Sequence, residues 1–114
     1  MIYNVYKSDL IYEVSHGGIG LLKKIRLDSN FETSIDFIDF VVVPPGSTIG
    51  RHRHQENEEV YFVIEGKGQM IINNVNYEVS TGDVIINPLY GEHELKNDSQ
   101  NNMNLFIFQV SKSN

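Results

Sequence analysis

Two histidines separated by one residue, His52 and His54, constrain this chain more than any other feature. Side chains two positions apart share a face on a β-strand, whereas a shared face on a helix needs a spacing of three or four. The pair therefore predicts a strand that presents two imidazoles to one ion. Glu59 opens the next apolar run, and His93 lies well downstream. Three imidazoles and one carboxylate suit Mn, Fe, Co, Ni, Cu or Zn better than Ca or Mg.

The spacing around the histidine pair resembles the first sequence motif of the cupin superfamily. That motif runs glycine, five residues, His-x-His, three or four residues, glutamate, six residues, glycine. The matching positions, with the four-residue option, are Gly46, His52, His54, Glu59 and Gly66. Glu58 is the three-residue alternative, but the fixed distance to Gly66 favours Glu59 as the acidic ligand.

A second cupin motif runs glycine, five residues, Pro-x-Gly, two residues, histidine, three residues, asparagine. The matching positions are Gly82, Pro88, His93 and Asn97. Tyr90 departs from the pattern, because it stands where the motif has its inner glycine. It could shape the pocket near His93 or only fill space, and both alternatives stay open. The resemblance implies that His52, His54, Glu59 and His93 bind one transition-metal ion.

Short apolar runs separated by turn signals predict an all-β protein. The predicted strands span residues 2–6, 20–27, 36–43, 47–52, 59–65, 68–72, 75–79, 83–86, 93–96 and 104–110. The run at 59–65 has a continuous apolar centre, which favours a strand buried on both faces. The resemblance implies a cupin double-stranded β-helix (jelly-roll) barrel. We expect one domain over residues 1–114, with a motif-bearing core at 46–97 and extra N-terminal strands within 1–43. Residues 111–114 are expected to fray.

The charge and the cysteine content of the sequence limit the classes of molecule that the protein is expected to bind. The net charge is −6 and the nine basic residues are scattered, which argues against nucleic acid and against an anionic membrane surface. No apolar run approaches the length of a membrane span. Cysteine is absent, so the chain has no disulfide and no thiolate ligand, as is typical of a cytoplasmic protein. A small-molecule ligand or substrate is the expected partner.

Strand alternation predicts which side chains face the ion. Tyr61 and Val63 share parity with Glu59 and should point inward. Arg51 and Arg53 alternate with the two histidines, so they should point outward, where ion pairs with Glu56 or Glu58 are favoured. Tyr61, Tyr90 and Glu58 are the candidate catalytic residues. His16 lies outside both motifs; it could cap the pocket mouth, but a surface position beside a glycine turn is the favoured interpretation.

The family resemblance implies metal chemistry on a small acidic or oxygenated molecule, by a dioxygenase-, decarboxylase- or isomerase-type reaction. The competing class is a non-enzymatic small-molecule, sugar-binding or sensor protein. In oxalate-converting cupins an arginine typically precedes the first motif histidine by three residues, and here that position is Ile49. The predicted pocket is therefore apolar, lined by Ile49, Tyr61, Val63 and Ile85, which disfavours a full oxalate decarboxylase mechanism.

The family resemblance implies a homodimer, because small single-domain cupins generally pair. The segments at 2–6 and 20–27 could extend a partner's sheet. Phe37 and Phe40 have opposite parity, so one of them should face outward and add an apolar contact. Phe106 and Phe108 share parity and should pack on one face, in the core or at a dimer surface.

Overall fold

The computed structural model describes residues 1–112, which form two antiparallel β-sheets. The strands in chain order are β1 Ile11–Glu13, β2 Leu22–Leu27, β3 Ile35–Val43, β4 Thr48–Arg53, β5 Asn57–Glu65, β6 Lys67–Ile72, β7 Val75–Ser80, β8 Val84–Asn87, β9 Glu92–Lys96 and β10 Met103–Ser111. One sheet has the order β1-β2-β3-β10-β5-β8, and the other has the order β4-β9-β6-β7. The all-β jelly-roll prediction is confirmed.

The N-terminal segment departs from its prediction. The strand expected at 2–6 is wrong: Val5–Lys7 forms a short 3₁₀ turn, because the Asn4 side chain accepts a hydrogen bond from the Tyr6 backbone N–H. The edge strand is instead the three-residue β1, which pairs with β2. The other nine predicted strands are present, with ends that shift by one or two residues.

The C-terminal end is partly ordered. Ser111 belongs to β10, and its hydroxyl donates a 2.6 Å hydrogen bond to Asp36, so fraying at this residue is wrong. Residues 113–114, the end of the predicted frayed segment, lie outside the described residues.

The apolar core lies between the two sheets. Its fully buried members come from both sheets: Val43, Val63, Met103 and Leu105 from the first, and Met70 and Leu95 from the second. Strand β5 alternates, with Tyr61 and Val63 buried while Phe62 remains 40% exposed. The prediction that this strand is buried on both faces is therefore wrong. Within the described residues, no helix is long and apolar enough to cross a membrane.

A loop between β1 and β2 is fastened onto β4, close to the histidine pair. The backbone N–H of Gly50 donates to the Ser15 carbonyl at 3.0 Å, and that of Thr48 donates to the Ile19 carbonyl at 2.9 Å. A Cβ at Gly50 would overlap the His16 carbonyl oxygen. The absence of a side chain at Gly50 therefore allows the loop to reach the site.

Candidate metal centre

Both sheets contribute to one cluster of donors. His52 lies on β4 and pairs directly with His93 on β9, and His54 follows the end of β4. Glu59 comes from the inner face of β5 in the other sheet. Neighbouring strands and facing sheets thus bring together four side chains that the sequence separates by up to 41 residues.

The four donor atoms converge on a small volume. Glu59 Oε1 lies 3.2 Å from Nε2 of both His54 and His93, and 3.8 Å from Nε2 of His52. One donor atom of each residue lies within 4.8 Å of the others. His54, Glu59 and His93 are buried, and His52 is partly buried.

Hydrogen bonds on the far side of two rings turn Nε2 toward the cluster. His52 Nδ1–H donates to the Gly50 carbonyl at 2.8 Å, and His54 Nδ1–H donates to the Asn57 side-chain oxygen. Both partners fix the tautomer that leaves the Nε2 lone pair facing inward, as outer-shell partners of metal ligands do. Asn57 was not singled out by the sequence.

The donor set fits a transition-metal ion. Ligands about 2.1 Å from one ion lie about 3 Å apart when they are neighbours in its coordination shell. The Glu59–histidine separations above are close to that spacing. His54 and His93 direct Nε2 atoms at each other across 2.7 Å, a contact that needs a shared proton or a shared metal ion, because two lone pairs repel. The residues present therefore form a group able to hold a metal ion.

Burial and hydrogen bonding shift the pKa values of Glu59, His54 and His93 in different directions. Burial disfavours the Glu59 carboxylate, but in the metal-free protein hydrogen bonds from histidine rings that carry a proton at Nε2 outweigh this effect and hold the pKa of Glu59 well below its usual range. Hydrogen bonding to Glu59 raises the pKa of His54. Burial lowers the pKa of His93, which keeps that ring neutral. The cluster thus combines a permanent carboxylate with imidazoles that can lose their protons.

The three candidate catalytic residues have different surroundings. Tyr61 is 1% exposed, and its ring packs edge-on against His93 at 5.5 Å. Glu58 is exposed and does not belong to the donor group, whereas Glu59 does. Tyr90 is 52% exposed, and its hydroxyl donates to Glu56 at 3.0 Å, so it lies on the surface rather than in the cluster. Its φ of 59° is the left-handed conformation that the motif's glycine would adopt easily.

The two arginines between the histidines point outward as predicted, but their predicted partners are wrong. Arg51 lies 3.5 Å from Glu92 and 3.8 Å from Glu94, and Arg53 lies 3.5 Å from Glu92. Antiparallel pairing of β4 with β9 brings these glutamates alongside, an arrangement that local sequence distance does not reveal.

His16 caps the cluster from the β1–β2 loop. Its ring stacks on that of His52, with centroids 3.6 Å apart and planes within 12°. The residue as a whole stays exposed at the surface, so the ring covers His52 while remaining open to solvent. Partial burial, followed by the neighbouring charge of His52, lowers its pKa to about 4. The alternative of a cap at the pocket mouth describes this position better than a free surface histidine.

A cavity of about 40 Å³ extends from Glu59 and Tyr61 toward β2. Ile49 lines it as expected, but Val63 and Ile85 lie in the core instead. Two ion pairs also line it, Lys24 with Glu13 at 2.7 Å and Arg26 with Asp39 at 2.9 Å. The prediction of an apolar pocket is therefore wrong. Lys24 and Arg26 share strand parity with buried Leu22, a signal that could have revealed them.

Asn87 is a further buried polar residue that the sequence did not reveal. It pairs with Glu59 across β5 and β8 and has no exposed surface. Within residues 1–112, neither its amide nitrogen nor its amide oxygen has a hydrogen-bond partner. Buried side-chain amides are rarely without a hydrogen-bond partner in proteins. The Asn87 amide could therefore still donate and accept hydrogen bonds beside the donor group.

Comparison with known proteins agrees with this geometry. A family model described as the cupin domain matches residues 39–108, which include all four donors and most of the strands between which they lie. The chain belongs to the cupin family. The family resemblance found in the two motifs is thereby confirmed.

Two curated relatives match part of this cupin. An uncharacterized protein of Methanocaldococcus jannaschii is 39% identical over 56 residues, covering 49% of this chain and 45% of the relative. An oxalate-binding protein of Thermotoga maritima is 31% identical over 55 residues, covering 48% of this chain and 46% of the relative. The matches thus span slightly less than half the length of each relative.

Among solved structures, the cupin is similar to a predicted oxalate decarboxylase from Thermotoga maritima. The TM-score is 0.94 at 20% sequence identity, and the superposition covers 98% of this chain and 100% of the other. At this level of identity the similarity establishes the fold.

Proposed function

We propose that this cupin binds one transition-metal ion through His52, His54, Glu59 and His93, and acts there on a small acidic or oxygenated organic molecule. The observation that carries the proposal is the convergence of three Nε2 atoms and one carboxylate oxygen beside a cavity. Four protein ligands leave one or two positions of a five- or six-coordinate ion open to a ligand. When bound, the ion supplies a Lewis acid and, if it is iron or manganese, redox chemistry of the dioxygenase or decarboxylase type.

The residues around the cavity define what the protein itself contributes. Burial, and then the charge of Glu59, raises the pKa of Tyr61, so its hydroxyl stays protonated and can donate a hydrogen bond to a bound ligand. His16 covers the mouth of the site as a neutral ring. Of the three candidate catalytic residues, Tyr61 is the one that lines the cavity, so it is the favoured participant.

A non-enzymatic binding or sensor protein is the second candidate. The observation that favours it is the pairing of the acidic residues around the cavity. Glu13 is held by Lys24, Asp39 is held by Arg26, and Glu59 belongs to the donor group. Within the described residues, the cavity lining therefore offers no unpaired carboxylate to act as a general base.

Elemental analysis of protein purified without chelators or an affinity tag tests the metal site. We expect about one equivalent of a transition metal in the wild type and in Glu58→Gln, and a sharp loss in His54→Ala and His93→Ala. A full equivalent of metal in both histidine variants would overturn the assignment.

Measurements of oxygen consumption and product formation with small carboxylic acids then distinguish an enzyme from a binding or sensor protein. Turnover that His52→Ala abolishes supports an enzyme, whereas binding without turnover supports a sensor.

We also propose a homodimer, formed through the outer face of the six-stranded sheet. One cross-strand row there is apolar over five strands: Ile25, Phe40, Phe106, Phe62 and Val84. Phe62 is 40% exposed and Val84 is 62% exposed. Phe106 is 37% exposed, so three neighbouring members of the row form a continuous apolar surface, as is characteristic of interaction sites. Of the two phenylalanines of β3, Phe40 faces outward, where Tyr6 packs on its ring at 5.4 Å, and Phe37 packs against the core.

The cellular setting is proposed from composition. An acidic chain with nine scattered basic residues and no cysteine suits a cytoplasmic protein whose partner is a small molecule rather than nucleic acid or a membrane. We further propose that residues 1–114 act as one domain, because β2 and the motif-bearing β5 belong to the same sheet.

A further inference from the structure

We propose that Lys24 is a specificity residue that binds a carboxylate of the ligand, and that Glu13 is an internal competitor for the same ammonium group. The expected ligand is a carboxylic acid of one to three carbons. One end of it would bind at the donor group and the other at Lys24. This inference rests on the proposed function, because it places the ligand in the cavity beside that group.

Lys24 lies on the inner face of β2, across from Val41 of β3. It lines the same cavity as Glu59 and Tyr61, although β2 lies outside the segment that contains the two motifs. Its side chain is only 12% exposed. A lysine this buried is uncommon without a partner, so the contacts of its ammonium group determine its role.

The ammonium group has bonding capacity to spare. Nζ carries three N–H donors, and among residues 1–112 it has one hydrogen-bond partner, Glu13 Oε1 at 2.7 Å. Glu13 is the last residue of β1, a three-residue edge strand, and its side chain is 32% exposed. The existing ion pair is therefore short and partly open to water, and two donors remain for an anion in the cavity.

Arg26, the second cation of the cavity, has a structural role instead. Its Nε and one terminal nitrogen donate to both oxygens of Asp39 at 2.9 Å, and its guanidinium lies 3.9 Å from the centre of the Phe37 ring. This bidentate pairing with stacking commits the planar group to the protein. Arg26 is thus fixed by two hydrogen bonds to one carboxylate, whereas Lys24 has a single ion-pair contact and is the cation of the cavity that can turn to a ligand.

Charge and size define the ligand class. The two ion pairs cancel, so a divalent ion against Glu59 leaves a single positive charge to attract an anion. The cavity volume of about 40 Å³ is far below the roughly 300–1,000 Å³ of pockets for drug-sized ligands. Only a few non-hydrogen atoms fit without movement of the β1–β2 segment. A carboxylate of one to three carbons meets both conditions, and a neutral amide of the same shape lacks the charge.

Calorimetric titration of the metal-loaded protein with formate, oxalate and malonate, and with neutral oxamide, tests the inference. We expect carboxylates to bind more tightly than oxamide, and Lys24→Gln to weaken oxalate binding by about 10- to 100-fold, the loss typical of a hydrogen bond to a charged group. Lys23→Gln is the matched control, since its ammonium group lies over the Tyr12 ring at 5.6 Å and does not line the cavity. It should bind oxalate like the wild type.

Glu13→Gln provides a test in the opposite direction. Removing the competing carboxylate should strengthen oxalate binding several-fold, which a purely structural ion pair would not do. This variant keeps the inference testable if Lys24→Gln fails to fold. Unchanged or weaker oxalate binding in Glu13→Gln, equal binding by wild type and Lys24→Gln, or no preference over oxamide would overturn it. Failure of the wild type to retain its metal ion would instead refute the proposed function, so the metal content of every sample is measured.

Discussion

Glu58 and Glu59 are adjacent in sequence, yet strand alternation gives them opposite roles. Glu59 lies within 3.2–3.8 Å of three imidazole nitrogens, whereas Glu58 is exposed. We predict that Glu59→Gln lowers metal affinity by at least about tenfold, because it removes the anionic ligand while preserving shape. Glu58→Gln should leave the affinity unchanged. Competition with a chromogenic chelator measures both, and a larger loss for Glu58→Gln would reverse the assignment.

The pH dependence of metal binding follows from His54. Its pKa is raised by the hydrogen bond to Glu59, so the metal-free protein carries a proton there above the ordinary value of 6.5. Metal must displace that proton, and affinity should therefore fall as pH falls, beginning above 6.5. Glu59 contributes little to this loss, since its depressed pKa keeps it ionised.

Calorimetric titration with zinc from about pH 8 to about pH 5.5 measures this dependence. The number of protons released on binding should rise as the pH is lowered into the range where His54 is protonated. Affinity that stays constant, or that increases as the pH falls, would contradict the prediction.

At the scale of elements, the β1–β2 loop shows what sequence could and could not predict. The resemblance to the two cupin motifs located the four donors, and strand alternation explains only why His52 and His54 share a face. The cap by His16 depends on contacts between residues more than 30 positions apart, such as Gly50 with Ser15. Those contacts have no local signature. Lys24 could be predicted in part. It stands two positions after buried Leu22, so strand alternation could have predicted that its side chain points inward, but not that it lies near Glu59.

The same loop yields a prediction for Gly50→Ala. The new methyl group would overlap the His16 carbonyl, so the loop must move and the His16 ring must leave His52. We expect a loss of about 1–3 kcal/mol in the free energy of unfolding, as for other overpacked sites. The pKa of His16 should rise from about 4 toward its ordinary 6.5, because the burial that lowers it is relieved.

An NMR titration of the metal-free protein measures this shift, with the His16 resonance identified by its absence in His16→Ala. Gly82→Ala is the control: it strains a backbone with a φ of 93°, but apart from its two chain neighbours no atom of the described residues lies within 4 Å of the added carbon. It should lower stability without moving the His16 pKa. An unchanged His16 pKa in Gly50→Ala would show that the loop is not held by this contact.

For the whole molecule, β5 and β10 connect the site to the proposed dimer surface. The inner face of β5 carries Glu59 and Tyr61, and its outer face carries exposed Phe62 beside Phe106 of β10. The continuous apolar run of β5 predicts burial on both faces within one chain. The structure buries one face, so the apolar residues of the other are available for contact between chains.

The last prediction concerns this outer face. If two copies pair through it, Phe62→Lys and Phe106→Lys place an unpaired charge in the interface and should convert the dimer into a monomer. Tyr77→Lys is the matched control, because Tyr77 is an exposed aromatic residue on the other sheet. Light scattering at micromolar concentration should give twice the 13.0 kDa chain mass for the wild type and Tyr77→Lys, and the single chain mass for the two phenylalanine variants. If the wild type has the mass of a single chain, and this mass does not change when the protein is concentrated, the predicted dimer is refuted. A dimer that survives both phenylalanine substitutions would place its interface elsewhere.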